Sequence, residues 1–277
     1  MSEVLVVIGA GGMGETIARR LAPGRITLLA DFNTHLLDRI AESMAADGFD
    51  VVTAQVDVSS RASVEALVRQ AEALGPITQV VHTAGVSPTQ APIEAVLRVD
   101  LVGVALVLEA FGGVVAPGGA GVVISSSSGH LAPPFTSEHA QLIRTATPEG
   151  LLELTLFAPE ALGHAGNAYA LSKQANRIQV QAAAAAWGAR GARINSVSPG
   201  VISTAMGRLE LESPSGAFMR AMVDNSGTGR IGTPSDIADA VTFLVGPQAS
   251  FITGTDVLVD GGSVAAVATG RVPLPGR

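Results

Sequence analysis

Residues 6–18 of this chain read VVIGAGGMGETIA, and this stretch decides which fold the sequence predicts. A β-branched apolar run ends at Gly9, and a pattern of helical spacing begins after Gly14. Together with Gly11, these glycines have the G-x-G-x-x-G spacing. Glycines so placed permit a tight turn and let the backbone approach a pyrophosphate, which the free N–H groups at a helix N-terminus can bind. The stretch therefore predicts a strand, a dinucleotide-binding loop and a helix.

The rest of the chain supplies the context that this motif needs, because 32 of the 277 residues are glycine and a triplet alone is a weak signal. Short apolar runs alternate with longer helical segments, and most runs are continuous, as in parallel strands covered on both faces. We predict an α/β fold: a Rossmann-type, doubly wound parallel sheet of about seven strands in a three-layer α/β/α arrangement. The predicted strands are residues 4–8, 26–30, 51–56, 77–82, 121–125, 193–198 and 256–260.

A single domain is expected, because no internal repeat or low-complexity linker interrupts the alternation of strands and helices. We expect it to span residues 1–262, with a C-terminal tail over 263–277. Within it, residues 130–165 and 205–230 depart from the regular alternation, and each segment follows the end of a predicted strand. Ligands bind beyond the carboxyl ends of strands in open α/β sheets, so both segments are candidate pocket walls. For 130–165 the alternative is an ordinary surface insertion.

Charge and composition exclude several classes of function. The formal net charge is −7 and the chain has no long basic run, so neither nucleic acid nor an anionic membrane surface is an expected partner. The most apolar stretch, residues 101–116, contains Glu109 and is shorter than the roughly 20 residues that a membrane span needs. We predict no metal site, because the histidines form no cluster with ligand spacing. They are His35, His82, His130, His139 and His164.

The absence of cysteine excludes disulfides, thiolate zinc sites and a cysteine nucleophile. It also fits a reducing compartment. Residues 1–12 carry no basic cluster ahead of their apolar run, so they do not have the pattern of a secretory signal peptide. We therefore expect a cytoplasmic protein.

Asp31 ends the second predicted strand, 20 positions after Gly11. A carboxylate there can accept hydrogen bonds from both hydroxyls of an adenosine ribose, and it would repel a 2′-phosphate. The glycine loop holds no Lys or Arg that would attract such a phosphate. We therefore predict NAD(H) rather than NADP(H) as the cofactor. The alternative for Asp31 is a helix N-cap or a solvated strand end.

Tyr169 and Lys173 are the only tyrosine and the only lysine of the chain, and they lie four positions apart in a segment of helical spacing. Residues four apart share one face of a helix. The ordinary tyrosine pKa of about 10 is too high for a base near neutral pH, but a neighbouring ammonium favours the phenolate and lowers that pKa. The pair therefore predicts acid–base catalysis by Tyr169. A surface tyrosine beside a solvated lysine is the alternative.

Further motifs stand in order along the chain around this pair. They are VDVS at 56–59, HTAG at 82–85, ISSSSG at 124–129, YALSK at 169–173, NSVSPGVIST at 195–204 and VDGG at 259–262. With the glycine loop, they resemble the classical short-chain dehydrogenase/reductase family over residues 4–262. The extended epimerase branch of the same superfamily shares the Tyr-x-x-x-Lys spacing, but SPGVIST and VDGG favour the classical branch. The resemblance implies hydride transfer between C4 of a nicotinamide and a carbinol carbon.

The resemblance also implies a role for each matching residue. Ser126, three residues before Gly129, would hydrogen-bond the substrate oxygen; its neighbours Ser125, Ser127 and Ser128 are the other serines of the motif. Tyr169 would be the acid–base, and Lys173 its activator and a ligand of the nicotinamide ribose. The remaining residues implied to bind the cofactor are Gly9, Gly11, Gly12, Met13 and Gly14 in the loop, Asp31, Asp57 and Val58 near the adenosine, Ala84 and Gly85 beside the ribose, and Pro199, Gly200, Ile202 and Thr204 around the nicotinamide.

The glycine loop and the HTAG motif depart from the family pattern. The loop lacks the usual threonine and one residue, so that Gly9, Gly12 and Gly14 give the family spacing less one. His82 stands where the family usually has asparagine. It either supports the site in a different way or is an ordinary histidine at a strand end.

Two further departures concern the proton path and the length of the chain before Tyr169. Asp100 aligns with the family's catalytic asparagine, whose backbone holds a water of the proton relay, and we count Asp100 among the catalytic residues. A carboxylate there is also expected to alter the proton chain near Lys173. Ser126 and Tyr169 are 43 positions apart, far more than is usual. Some relatives that resemble bacterial 3α-hydroxysteroid dehydrogenase/carbonyl reductase carry a comparable insertion, which suggests a steroid-like or other bulky apolar substrate.

The apolar residues of two segments bear on the substrate and on assembly. Residues 205–230 hold several Met, Leu and Phe side chains, which suit an adaptable apolar pocket but are also common in plain packing. The helix predicted over 101–116 is apolar almost all round, and the Tyr169 helix continues into a run of alanines. Such helices need cover beyond one sheet face. Family members often pair them across a dimer interface within a tetramer, so we predict a homo-oligomer, dimeric or tetrameric.

The leading hypothesis is an NAD-dependent alcohol dehydrogenase or ketone reductase. The alternative is a catalytically weak or inactive NAD(H)-binding protein of the same fold that acts as a sensor or partner subunit. The departures at Asp100 and in the glycine loop favour this alternative, and the set of Ser126, Tyr169 and Lys173 weighs against it.

Overall fold

Seven parallel strands form one sheet in the computed structural model, which describes residues 2–89 and 91–273. Their order is β3-β2-β1-β4-β5-β6-β7. Each strand coincides with a predicted run, and no end differs by more than one residue, so the predicted doubly wound sheet is confirmed. The strands are β1 Glu3–Ile8, β2 Arg25–Asp31, β3 Asp50–Gln55, β4 Ile77–His82, β5 Ala120–Ile124, β6 Arg193–Pro199 and β7 Asp256–Val259.

Helices connect the strands and cover both faces of the sheet. A π-helical turn, Leu97–Val102, joins α4 to α5, and single 3₁₀ turns lie at Glu149–Glu153, Thr155–Phe157 and Pro247–Ala249. The α-helices are α1 Met13–Leu21, α2 Thr34–Ala46, α3 Arg61–Leu74, α4 Ile93–Val96, α5 Gly103–Gly112, α6 Ser128–Leu131, α7 Ser137–Thr145, α8 Pro159–Leu162, α9 Ala165–Ala189, α10 Ala205–Glu212, α11 Gly216–Asp224, α12 Pro234–Val245 and α13 Ser263–Ala268.

Two apolar layers, one on each face of the sheet, form most of the core. Alternate side chains of β1 enter opposite layers: Val4 and Val6 pack with α3, α5 and α9, whereas Leu5 and Val7 pack with α1, α2 and α12. A strand that is buried on both faces must be apolar at successive positions, which explains why these runs do not alternate. The three-layer arrangement predicted from the sequence follows from this packing.

The order of the strands reverses between β1 and β4. β1 pairs with both β2 and β4, so the chain builds one half of the sheet outward to β3 and then returns to the centre. The loops that follow β1 and β4 diverge at this switch point, and the carboxyl ends of the two strands face the crevice between them. The glycine loop and the HTAG motif follow these two strands, and the fold therefore brings them together.

Residues 130–165 form a packed layer over the Tyr169 helix. Ile143, Leu151, Phe157 and Leu162 are almost fully buried in a third apolar cluster, which they share with α4, the π-helical turn and α9. Arg61 of α3 fastens the segment to the body of the domain. Its guanidinium forms ion pairs with Glu149 at 2.7 Å and with Glu109 of α5 at 2.5 Å.

The apolar stretch 101–116 is covered by its own chain. Val104, Leu106, Val107, Leu108 and Phe111 are each less than 5% exposed. The indole N–H of Trp187 on α9 donates to the Leu108 carbonyl at 3.1 Å, which ties α9 to α5. A second copy of the chain is thus not required to bury this helix, and the predicted homo-oligomer stays a prediction. No helix within residues 2–89 and 91–273 combines the length and the apolar character that crossing a bilayer demands.

The segment predicted as a C-terminal tail begins with a helix. α13 packs against α11, where Ala266 and Val272 share a small apolar cluster with Met222. Residues 263–273 therefore support the back of the 205–230 segment. The last positions of the predicted tail, 274–277, lie outside the described residues.

Candidate active site

The glycine loop leaves the first turn of α1 open toward the switch-point crevice. Gly12 precedes the helix with φ of +45°, and no side chain caps the N–H groups of that turn. A Cβ atom on Gly9 would lie 2.5 Å from the backbone nitrogen of Ala84, and one on Gly14 would overlap the Gly9 carbonyl. The loop can approach the strand end after β4 only because these residues lack side chains.

A narrow cavity of about 290 Å³ runs from this loop to the Tyr169 helix. Four glycines contribute to its wall, and a Cβ atom on one of them, Gly85, would lie 2.6 Å from the Asp100 carboxylate, so that position is also closed to side chains. Eleven of the residues predicted from the sequence meet here. The complete lining is Gly9, Gly11, Gly12, Met13, Asp31, Thr83, Ala84, Gly85, Asp100, Ile124, Ser125, Tyr169, Lys173, Thr204, Ala205 and Met206.

Asp31 borders this cavity at the end of β2, and its carboxylate is held by two backbone amides. One oxygen accepts from the Ala10 N–H at 2.7 Å and the other from the Asn33 N–H at 2.9 Å. Asn33, not Asp31, is the N-cap of α2, because its side chain accepts from Leu36 N–H. The N-cap alternative for Asp31 is thereby excluded. No Lys or Arg except Lys173 occurs among the described residues that line the cavity.

The partly buried Tyr169 and the buried Lys173 and Asp100 form a polar cluster at the far end of the narrow cavity. Nζ of Lys173 lies 2.8 Å from Oδ1 of Asp100 and 5.5 Å from the centre of the Tyr169 ring. The second carboxylate oxygen of Asp100 accepts from the Val86 N–H at 3.1 Å. Both members of the ion pair are more than nine-tenths buried. Asp100 itself lies in the π-helical turn, a type of distortion that is frequent at functional sites.

Burial dominates the electrostatics of this cluster. Burial raises the pKa of Tyr169 above its ordinary value, and Lys173 and the Ser126 hydroxyl, which both lower it, do not reverse the direction. Burial also raises the pKa of Asp100. For Lys173 burial acts to lower the pKa, but the Asp100 carboxylate and the Tyr169 phenol outweigh it and raise the pKa overall. The lysine thus acts on Tyr169 in the predicted direction, but Asp100 offsets part of its charge.

The serines after β5 have distinct environments. The Ser125 hydroxyl donates to the Lys173 carbonyl at 2.7 Å and is buried. Ser127 is also buried, and its N–H donates to the Pro199 carbonyl. Ser126 is partly exposed, borders the larger cavity described below, and accepts from the Ser128 N–H at 3.1 Å. Ser128 is also partly exposed and borders the same cavity, but it is the Ser126 hydroxyl that interacts with the Tyr169 phenol.

His82, at the end of β4, is buried behind Lys173. Burial, aided by the charge of Lys173, lowers the pKa of His82 to about 3. The imidazole is therefore neutral at neutral pH. Neither ring nitrogen has a hydrogen-bond partner among the described residues.

Three residues predicted to bind the cofactor do not line either cavity. Gly14 is buried in the first turn of α1. The Asp57 carboxylate accepts from both the N–H and the hydroxyl of Ser59, at 2.9 and 2.7 Å, and so supports its own turn. Val58 packs in the core against Gly103, where a Cβ atom would lie 3.0 Å from it. The expected position of Asp57 and Val58 beside an adenine stays a prediction.

A larger, apolar cavity of about 720 Å³ adjoins the narrow one, and Tyr169 borders both. Residues 130–165 and 205–230 each contribute to its wall, as predicted for both segments. The end of β6 and the loop after it also line this cavity, through Pro199, Gly200, Ile202 and Thr204. The Thr204 hydroxyl accepts a hydrogen bond from the Gly207 N–H at 3.0 Å and so caps the N-terminus of α10. The apolar side chains of the cavity include Leu131, Phe135, Leu156, Leu171, Met206, Phe218, Met219 and Met222.

Sequence reasoning missed several residues that the fold brings to these cavities. The Thr83 hydroxyl donates to the Gly9 carbonyl at 2.6 Å and so ties the HTAG segment to the glycine loop. Thr83 is the second residue of the HTAG motif, directly before Ala84, and this position was the signal that could have found it. Glu210 of α10 reaches the larger cavity, and Ser87 donates to its carboxylate at 2.7 Å. No sequence pattern marks a contact between residues 123 positions apart.

The titratable side chains of the described residues show no metal centre. Within residues 2–89 and 91–273, no three or more His, Asp or Glu side chains are grouped so that they could hold a metal ion. His130 instead pairs with Asp256 at 2.8 Å, between α6 and β7.

Comparison with known proteins identifies the family. The family model described as short chain dehydrogenase matches residues 3–139, and the one described as Enoyl-(Acyl carrier protein) reductase matches residues 136–264. The short-chain dehydrogenase/reductase bsc3 of Alternaria brassicicola is 40% identical over 264 residues, which cover 95% of this chain and 96% of that protein. This chain belongs to the short-chain dehydrogenase/reductase family, and it is an oxidoreductase acting on CH–OH groups.

Two further relatives agree with this assignment. Galactitol 2-dehydrogenase (L-tagatose-forming) of Cereibacter sphaeroides is 31% identical, and the match covers 92% of each chain. A solved short-chain dehydrogenase/reductase of Brucella melitensis, titled glucose/ribitol dehydrogenase, superposes with a TM-score of 0.73 at 26% identity over 94% of this chain and 96% of that one. Members of the family use nicotinamide cofactors. None of the comparisons favours a sensor or partner subunit.

Proposed function

We propose that this enzyme interconverts a bulky, hydrophobic secondary alcohol and its ketone with NAD(H), and that Tyr169 is the general acid and base. The main support is the position of Tyr169, which borders both the narrow polar cavity and the large apolar one. A side chain that exchanges a proton with a substrate must reach the substrate while the cofactor is bound. Tyr169 is the titratable residue common to the two linings.

The narrow cavity fits a dinucleotide. Glycine backbone lines it at Gly9, Gly11, Gly12 and Gly85, and the uncapped first turn of α1 offers N–H donors suited to a pyrophosphate. Asp31 would accept the ribose hydroxyls and disfavour a 2′-phosphate, which supports NAD(H) over NADP(H). Lys173 would hold the second ribose. When bound, NAD(H) supplies the hydride donor or acceptor for the carbinol carbon.

The proton moves at the Tyr169 oxygen. In the oxidative direction the phenolate accepts the hydroxyl proton of the substrate, and in the reductive direction the phenol donates one. Ser126 donates a hydrogen bond to the substrate oxygen, where negative charge develops in the transition state. Lys173 favours the phenolate, and the apolar walls exclude water from the reacting atoms.

Asp100 is proposed to keep Lys173 in its ammonium form and to orient it near Tyr169. Its Oδ1 lies 2.8 Å from Nζ, whereas the family's asparagine acts through its backbone. The side-chain carboxylate thus forms a direct ion pair with the lysine ammonium. Asp100 also raises the pKa of Tyr169, which favours the protonated phenol that ketone reduction requires.

The walls of the larger cavity support a bulky apolar substrate. Phe135 and Leu156 come from the segment 130–165, and Phe218 and Met219 from 205–230. We regard 130–165 as an insertion that enlarges this pocket, as in relatives that resemble 3α-hydroxysteroid dehydrogenase/carbonyl reductase. A pocket of about 720 Å³ accommodates a steroid-sized ligand. We also propose a cytoplasmic homo-oligomer of a single catalytic domain.

The proposal is tested by fluorescence titration with NADH and NADPH, followed by a turnover screen with hydrophobic secondary alcohols and ketones. We expect NADH to bind at least about tenfold more tightly than NADPH. Tyr169→Phe, which removes only the hydroxyl, should lower turnover by about 100-fold or more and leave NADH binding within about twofold. Ser126→Ala should also lower turnover, whereas Ser128→Ala, at a neighbouring cavity residue, serves as the matched control.

Each result has a defined meaning. Equal binding of the two cofactors would overturn the role of Asp31. Unchanged turnover in Tyr169→Phe would overturn the catalytic assignment. Tight NADH binding without turnover on the whole panel would favour the sensor alternative and direct attention to Asp100.

A further inference from the structure

Glu210 is the carboxylate of the apolar cavity. Among the described residues that line this cavity there is no Lys or Arg, and Glu210 is the one acidic side chain. It is half-buried on α10, on a wall otherwise formed by Met206, Phe218 and Met219. A carboxylate in such a lining costs desolvation free energy, so its presence requires a compensating partner.

The loop that follows β4 contacts the Glu210 carboxylate on the side away from the cavity. Oε1 of Glu210 accepts from the fully buried Ser87 hydroxyl at 2.7 Å, and the Thr89 hydroxyl lies 2.9 Å from that of Ser87. Of the two carboxylate oxygens, only Oε1 has a hydrogen-bond partner among the described residues. The residue is thus oriented by the protein and keeps acceptor capacity on the cavity side.

We propose that Glu210 determines specificity by accepting a hydrogen bond from a second hydroxyl group of the substrate, remote from the carbinol that reacts at Tyr169. This inference rests on the proposed function, because it assumes that the reacting carbinol lies at Tyr169. The substrate is then an apolar skeleton with two hydroxyls, or the corresponding hydroxyketone. One end meets Tyr169 and Ser126, and the other meets Glu210.

The apolar lining around Glu210 excludes anionic and cationic substrates. An anionic substrate would meet the Glu210 carboxylate with no cation in the described lining to offset the repulsion. A cationic substrate would lose its hydration against apolar walls, which costs far more than the desolvation of a hydroxyl. Burial raises the pKa of Glu210, the hydrogen bond from Ser87 and the charge of Lys173 act to lower it, and the charge of Asp100 acts to raise it. A neutral hydroxyl is a good donor to the group in this setting.

The test compares matched substrates in steady-state kinetics with NAD⁺. Each pair consists of a rigid saturated diol and the mono-alcohol that lacks the remote hydroxyl, and the separation of the two hydroxyls is varied across bicyclic and tetracyclic skeletons. For the wild type we expect kcat/KM for the diol to exceed that for the mono-alcohol by at least about tenfold, since a hydrogen bond to a charged group discriminates by this much. In Glu210→Leu the ratio should fall to about one, with the mono-alcohol still oxidised.

Ser87→Ala is the control for a merely structural role. It removes the hydrogen bond to the loop but keeps the carboxylate, so the preference for the diol should persist. If Glu210→Leu lowers kcat/KM equally for the diol and the mono-alcohol, so that their ratio is unchanged, Glu210 is structural and the proposal is wrong. The same holds if the wild type does not distinguish the two alcohols, or if an analogue with an ammonium in place of the remote hydroxyl is preferred. Absence of turnover with every pair would instead overturn the proposed function on which this inference rests.

Discussion

Asp100 is the residue whose role changes most between the sequence and the structure. The alignment with the family's asparagine predicted a function through the backbone or an effect on the proton chain near Lys173. The structure gives the side chain two partners, Nζ of Lys173 and the Val86 N–H, so that the only lysine of the chain is paired within the protein. Removing one partner of a buried ion pair strongly destabilises the folded protein, because the other charge is left buried without compensation. Asp100 and Lys173 therefore act as a unit.

His82 gives a prediction for stability as a function of pH. Its pKa is about 3 in the folded protein and about 6.5 in an unfolded chain. Between these values the unfolded chain binds a proton that the folded chain does not, so the free energy of unfolding falls as the pH falls from about 6.5 toward 3, by about 1.4 kcal/mol per pH unit. His82→Asn removes this contribution. Urea denaturation at pH 7 and pH 5 should show that the variant loses about 2 kcal/mol less than the wild type over this interval.

The control for this experiment is His35→Asn, at an exposed position of α2. The free energy of unfolding of this variant should change between pH 7 and pH 5 by the same amount as that of the wild type. Parallel stability profiles of wild type and His82→Asn would contradict the assignment, because they would mean that folding does not suppress protonation of His82.

At the scale of elements, α9 joins the site to the core. Its first turns carry Tyr169 and Lys173, and its last turns carry Trp187, which packs on α5. In between, the Gln179 amide donates to the Leu101 carbonyl at 3.1 Å, within the turn that holds Asp100. Both contacts lie on the C-terminal side of the cluster and join the same two helical segments. The orientation of Lys173 toward Asp100 depends on the packing of α9 against α5.

Gly112 tests this packing. A Cβ atom at Gly112 would lie 2.8 Å from Nε1 of Trp187, and the indole is held by its hydrogen bond to Leu108. Overpacking a core costs about 1–3 kcal/mol, while replacing glycine with alanine in a helix returns at most about 1 kcal/mol. We expect Gly112→Ala to lower the free energy of unfolding by about 1–2 kcal/mol, measured by urea denaturation with far-UV circular dichroism.

Gly113→Ala is the matched control at the next position. Its Cβ atom would meet nothing closer than 3.5 Å. We expect stability that is unchanged or raised by up to about 1 kcal/mol, through the reduced freedom of the unfolded chain. If both variants have the same stability, the contact between α5 and Trp187 is not as tight as the structure indicates.

At the scale of the whole molecule, the sheet leaves β7 as an edge strand. Edge strands with nearby apolar surface favour association with another chain. Phe251, in the turn that leads to β7, is fully exposed, and Phe243 of α12, which packs on β7, is about half exposed. The apolar surface beside β7, rather than the covered helix α5, is therefore the main support for the prediction of a homo-oligomer.

Light scattering provides the measurement. We expect the wild type to have a mass that is a dimeric or tetrameric multiple of 28.0 kDa. Phe251→Asp should reduce that mass, because a charge at an apolar contact is desolvated without a partner. Leu142→Asp, at an exposed position of α7 away from this edge, is the control and should keep the wild-type mass. A monomeric mass for the wild type would contradict the prediction.

The sequence by itself determined the features that depend on neighbouring residues. Each of the seven strands matches a predicted run because burial on both faces requires successive apolar side chains, a pattern visible in a few residues. The glycine loop, Asp31, Ser126 and the pair of Tyr169 and Lys173 could be predicted as site residues because each lies within or directly after a local motif.

Only the tertiary structure decided how distant segments meet. The contact of Ser87 with Glu210, the side-chain pairing of Asp100 with Lys173 and the cover of α5 by its own chain depend on how helices pack over the sheet. The tertiary structure likewise shows that Asp57 supports its own turn and that Val58 packs in the core, while their predicted position beside an adenine stays a prediction. The physical reason is that periodicity and turn chemistry encode local conformation, whereas the direction and partner of a side chain are set by the volume and charge that the rest of the folded chain brings to it.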